Sequence, residues 1–133
     1  MPKVFTSEKQ KIGEIGENIA VKFLVKRGFS IIDRNYTKKW GELDIVSEYK
    51  NKIHFIEVKS VTDYEWQRCM MDTWRAEDNM HPWKLKRISR TIQTYLLSKK
   101  IPDEKEWQLD LLVVYLDLQN KKARIKVEED IIL

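Results

Sequence analysis

The sequence predicts a mixed α/β domain with two helices packed on a central sheet, in the order helix, three-strand meander, helix, strand and a final edge strand. Three observations carry that expectation. Helical periodicity occurs in two separated segments, several short strand-like runs lie between them, and one near-continuous apolar stretch follows the second helix.

Ser7 with Gln10 three residues later reads as a capping box, and Ile12, Ile15, Ile19 and Phe23 then recur at helical spacing until Gly28 supplies a stop. The first helix is therefore expected over Glu8–Arg27. Phe29–Asn35, with Ile31 and Ile32, suits a first strand. Leu43–Glu48 and Ile53–Ser60 suit two more, joined by the polar turn Tyr49–Lys52. From Val61 to His81 the periodicity fades into a long connection carrying Trp66, Cys69, Met70, Met71 and Trp74, and such loops are commonly functional or mobile. Pro82 fits the first turn of a second helix with Leu85, Ile88, Ile92 and Leu96 on one face, ending near Lys100 ahead of Pro102. Leu109–Leu116 reads as a strand buried on both faces and Ala123–Val127 as a weaker edge strand.

The 133 residues, 42% of them hydrophobic, suffice for one core, so residues 1–133 are read as a single domain. Cys69 is the sole cysteine, which excludes an intrachain disulfide and a cysteine-based zinc site; with only His54 and His81 beside it, a cytoplasmic protein is expected. The longest purely apolar stretch, Leu111–Leu116, is far too short to span a bilayer. A net charge of +4 is compatible with a polyanionic partner without requiring one. The basic residues gather in three groups: Lys22, Lys26 and Arg27; Arg34, Lys38 and Lys39; and Lys84, Lys86, Arg87 and Arg90.

Chemistry is signalled by Gly41-Glu42-Leu43-Asp44 followed by Glu57-Val58-Lys59. Strand alternation puts Asp44 on one face with Val46, and groups Glu57 and Lys59 with Phe55. A hairpin turning symmetrically about Lys50 and Asn51 would pair Val46 with Phe55 and bring Asp44 opposite Glu57, whereas a one-residue slip would send the two acids to different faces. Like charges facing each other across about 4.5–5.5 Å destabilise a sheet, so a cation is the natural compensation. Oxygen ligands without His or Cys suit a hard ion such as Mg²⁺ or Mn²⁺, and Lys59 on the same face could position the attacking water and offset charge on a phosphate. Ion pairs at a strand rim remain the competing explanation for Glu-x-Lys. Glu17 is an acid set among Gly13, Gly16, Ala20 and Val21: it either approaches the metal as a third carboxylate or sits at the border of that stripe facing water.

With Gly13, Gly16, Glu17, Ala20, Leu24 and Gly28, then Asn35-Tyr36, then Gly41-Glu42-Leu43-Asp44 and Phe55-Ile56-Glu57-Val58-Lys59, the chain resembles the YraN-like family of small bacterial proteins. That family has a restriction-endonuclease-like fold, similar in its core to archaeal Holliday-junction resolvases. The resemblance implies that Asp44, Glu57 and Lys59 occupy the acid, acid and lysine positions of a PD-(D/E)xK nuclease core, and Glu17 the helix acid of the resolvase-like branch. It also implies a metal-dependent DNA endonuclease, including action on branched or single-stranded DNA, for which a two-fold homodimer is the simplest assembly. Gln108-Leu109 ahead of Asp110 and Ser60-Val61 after Lys59 depart from the family pattern.

Lys84, Arg87, Arg90, Arg75 and Arg68, interleaved with Trp66, Trp74 and Trp83, could grip phosphates and stack on splayed bases. A solvated helix face with tryptophans anchoring a loop is the plainer alternative. His54 falls on the face opposite Glu57 and is expected to be structural, and Asp110 is left outside the catalytic set. A non-catalytic nucleic-acid-binding module and an RNA-processing nuclease are the rival functions.

Overall fold

The computed structural model describes residues 8–62 and 81–133. They form helix α1 (Glu8–Lys26), strands β1 (Ser30–Lys38), β2 (Gly41–Tyr49) and β3 (Lys52–Thr62), helix α2 (Pro82–Ser98), and strands β4 (Trp107–Asp117) and β5 (Lys122–Glu128). The order of elements is the expected one. Ser7 lies outside the described residues, as do Trp66, Arg68, Cys69, Trp74 and Arg75 of the long connection.

The strands make one five-stranded sheet in sequence order, antiparallel except where β3 and β4 run parallel. Parallel neighbours need a crossover, and the stretch containing α2 supplies it. Lys50 and Asn51 both take positive φ, 48° and 63°. Such a two-residue turn matches the twist of the strands it joins, and it centres the β2–β3 hairpin so that Val46 faces Phe55 and Glu48 faces Ile53. The register on which the two acids depend is thus set by the turn.

Each face of the sheet carries one helix. On one side Leu43, Val46, Ile53, Phe55 and Leu109 pack against Ile88, Ile92 and Tyr95 of α2. On the other, Ile45, Ile56, Leu112, Val114 and Leu116 pack against Ala20 and Leu24 of α1. β4 contributes to both, and its residues Leu109–Val114 are all buried, as its apolar run predicts.

The buried line of α1 follows the small-residue stripe around Glu17. It runs through Gly16, Ala20 and Leu24 rather than through the bulky isoleucines, and Ile15 is 43% exposed. The reason is close approach: a Cβ on Gly16 would collide with the Ser60 hydroxyl of β3, so only glycine lets the helix lie this near the sheet. At the far end Gly28, with φ 93°, closes α1 while Phe29 N–H donates to the Leu24 carbonyl and Gly28 N–H to Val25. That places β1 directly after the helix and keeps Glu17 over the sheet.

His54 and Asp110 form a buried pair, Nδ1 to Oδ2 at 2.7 Å. Asp110 also accepts from Gln108 Nε2 and from the Asp130 backbone N–H, at 2.7 and 2.9 Å. This polar knot joins β3, β4 and the segment after β5, so both residues serve the fold.

Candidate functional site

The candidate site lies where β2 parts from β3. Their ladder runs from Tyr49–Lys52 to Ile45–Ile56 and ends there. On the other side of β2 the pairing passes from Arg34–Ile45 to Tyr36–Leu43, and Asn35 between them has φ 55°, a conformation asparagine tolerates better than most residues. Asp44 sits at this opening and is 8% exposed. With the ladder finished, its Oδ2 accepts the Val58 N–H at 2.9 Å. A side chain has taken a role usually filled by a strand carbonyl.

Asp44 and Glu57 therefore meet through their side chains rather than as a hydrogen-bonded strand pair. Each carboxyl influences the ionisation of the other, and both are raised above their ordinary values. Burial pushes Asp44 from 3.8 up to about 6; the Val58 N–H opposes that rise, and the charges of Glu17 and Glu42 add to it. Burial likewise holds Glu57 well above its ordinary value, with the Asp44 charge next in effect and Lys84 opposing. Lys84 Nζ stands 3.7 Å from Glu57 Oε1. Two desolvated acids thus share one short space with a lysine at its edge.

A cavity of about 1280 Å³ opens beside them, lined by Gly13, Glu17, Arg34, Asp44, Lys59 and Lys84 among others. Glu57 is not part of the lining, but it contacts Asp44, which is. Lys59, half-buried two residues farther along β3, completes the acid, acid and lysine grouping expected from the sequence. Glu17 reaches the same cavity from α1, yet its Oε1 is held by Arg34 at 3.2 Å, while Asn18 accepts a second bond from the same guanidinium nitrogen at 2.8 Å. It acts on Asp44 through its charge.

The remaining basic residues divide. Lys84 belongs to the cavity, whereas Arg87 and Arg90 lie on the exposed face of α2 against Trp40, and Arg75 is outside the described residues. Sequence reasoning did not anticipate the Arg34–Glu17 or Lys84–Glu57 pairs, nor the part Glu42 plays. A signal for Arg34 existed in the strand pattern: it stands opposite Ile45, one residue from Asp44.

Among the described residues, no three histidine, cysteine or acidic side chains converge into a ready-made metal cage. Two desolvated carboxyls do meet, however, and their raised pKa values mark a place where negative charge lacks full compensation. That donor set fits Mg²⁺ or Mn²⁺, ions commonly held by one or two carboxylates with water and substrate phosphate in the other positions. Asp44 and Glu57 would hold such an ion, with Glu17 able to contribute across the cavity. Also among the described residues, no helix is long and apolar enough to cross a membrane.

Comparison with solved structures finds an FdxN element excision controlling factor from Anabaena variabilis, at 12% identity and a TM-score of 0.39, covering 89% of this chain and 99% of that one. SfsA of Pyrococcus furiosus in complex with Ca²⁺ follows at 15% identity and a TM-score of 0.34, covering 98% of this chain and 74% of that one. Sequence relatives are nearer. A UPF0102 protein of Campylobacter fetus is 36% identical over 100 residues, 74% of this chain and 79% of its own. One from Alkaliphilus oremlandii is 35% identical over 121 residues, 91% and 97% of the two chains. The model of Uncharacterised protein family UPF0102 matches residues 16–114, a span that takes in Glu17, Asp44, Glu57, Lys59 and Lys84. The chain belongs to the UPF0102 family, the YraN-like proteins its motifs resemble.

Proposed function

We propose that the protein is a Mg²⁺- or Mn²⁺-dependent endodeoxyribonuclease that hydrolyses phosphodiester bonds at the Asp44, Glu57 and Lys59 site. The observation that carries this reading is the meeting of two desolvated carboxyls, Asp44 and Glu57, with Asp44 and Lys59 together in the wall of an open cavity. A bound divalent ion would polarise the phosphate and lower the pKa of the attacking water. The chain's own part is to hold and orient. Asp44 is aimed by the Val58 N–H, Glu57 by Asp44 and Lys84, and Glu17 by Arg34. Lys59 offsets charge as it develops on the phosphate and orients the attacking water. Glu17 serves as an auxiliary ligand or as a holder of water. A cytoplasmic setting and a two-fold dimer accord with a DNA substrate of two-fold symmetry.

The test is incubation with Mg²⁺ or Mn²⁺ and a panel of junction, flap, single-stranded and duplex DNA, with matched RNA strands and an EDTA control. Cleavage of DNA, absent in EDTA and weaker on RNA, is the expected result. Faster cleavage of RNA would make this an RNA-processing nuclease. Salt-sensitive binding without cutting of any strand, indifferent to EDTA, would leave a nucleic-acid-binding module that retains the fold.

A further inference from the structure

α2 carries no aspartate or glutamate between Pro82 and Ser98, while Lys84, Lys86, Arg87 and Arg90 all lie on it. A solvated helix face ordinarily mixes both signs of charge; this one presents a single sign to any partner. Aromatic rings are threaded through the cations. The Arg87 guanidinium lies 5.6 Å from the centre of the Trp83 ring, and its Nε donates to the Trp40 carbonyl at 3.0 Å. Arg90 lies 4.2 Å over the Trp40 ring. His81 and Trp83 hold their rings within 7° of parallel at 6.3 Å. The result is one contiguous strip, His81, Trp83, Arg87, Trp40 and Arg90, reaching from the start of α2 to the β1–β2 turn.

The two tryptophans have different duties. Trp40 is half-buried and fastens the turn to α2 through Arg87 and Arg90. Trp83 is 59% exposed and is not among the residues of the core clusters, so core packing does not explain its size. A flat, exposed ring among cations matches one ligand chemistry closely: a base free of its partner, attached to a phosphodiester backbone. A closed duplex would use the cations alone, because its base faces are already stacked. Lys84, the residue after Trp83, lines the cavity beside Asp44.

We infer that Trp83, with His81 and Arg87, is a stacking platform for an unpaired base, and that the strand's phosphates follow Lys86 and Lys84 into the cavity. The inference rests on the reading of that cavity as a nucleic-acid site and adds to it the substrate class, strands with unpaired bases.

Fluorescence anisotropy in EDTA tests it without cleavage, using labelled oligothymidylate, oligouridylate and a blunt duplex. Trp83→Ala is expected to weaken single-strand binding about 5- to 150-fold, and Trp83→Phe to keep most of the affinity. Duplex affinity should stay unchanged in both. Loss on both single strands supports a platform blind to the sugar; loss on one alone supports it and names the sugar. Equal loss on duplex and single strand, no loss at all, or no single-strand binding by the wild-type chain would overturn it. Binding that is sensitive to Trp83 in a protein that never cuts would leave the platform standing and remove the nuclease reading. Cleavage unaffected by Trp83→Ala, with binding unaffected too, would do the reverse.

Discussion

Lys59→Ala is expected to slow metal-dependent DNA cleavage by about 10²- to 10³-fold, the cost of losing one preorganised charge at a reacting phosphate. Lys59 is half-buried and lines the cavity with Asp44, so its truncation removes charge from the proposed reaction centre while sparing the apolar core. Asp44→Asn should be more damaging still. Asparagine keeps an oxygen able to accept the Val58 N–H, so the opening between β2 and β3 is preserved while the ligand charge is lost. Single-turnover kinetics with saturating Mn²⁺, beside thermal melts, separates the two effects. Residual cleavage that is equal in wild type, Lys59→Ala and Asp44→Asn would mean that the activity belongs to a contaminant or to another site.

The second large effect is on stability. Burial raises Asp44 from 3.8 to about 6, so between those values the folded chain binds more protons than the unfolded one. The associated stability is fully present below about pH 4 and is lost as pH rises through about 6. Glu57 is shifted in the same direction, so its contribution is complete below 4.5 and is lost as pH rises through its raised pKa. The rise at Asp44 alone corresponds to about 3 kcal/mol, or roughly 10 °C in Tm for a domain of this size. In metal-free buffer the Tm of the wild type should therefore fall, relative to Asp44→Asn/Glu57→Gln, as pH rises from 4 to 8. The amide pair cannot ionise and supplies the flat reference. A parallel pH dependence in both proteins would show that the acid pair stores no such energy.

Much of this was legible in the sequence, because the informative features are local. Lys50-Asn51 can take the positive φ of a tight hairpin, and symmetry about them predicts that Val46 faces Phe55 and that Asp44 and Glu57 approach each other. The same locality reveals the stop at Gly28, Pro82 in the first turn of α2, and the doubly buried β4. What escaped was set by contacts between distant segments. Arg34 with Glu17 and Lys84 with Glu57 are pairs between elements far apart in the chain, and no periodicity announces them. The small stripe through Gly16 and Ala20 is local too, and it marks the face of the first helix that packs closely on Ser60, whereas Ile15, in the large-residue periodicity, is exposed. The ending of the β2–β3 ladder at Ile45 changes how the acids meet, and only Asn35, with its tolerance of positive φ, hinted at it.

Calorimetric titration of the metal-free chain with Mn²⁺ at neutral pH is the most direct examination of the whole reading. Saturable binding of a divalent ion is expected for the wild type, accompanied by proton release because burial raises the pKa of both carboxyls, and it should vanish in Asp44→Asn/Glu57→Gln. Binding of equal strength in that double variant would place the ion elsewhere and contradict the account.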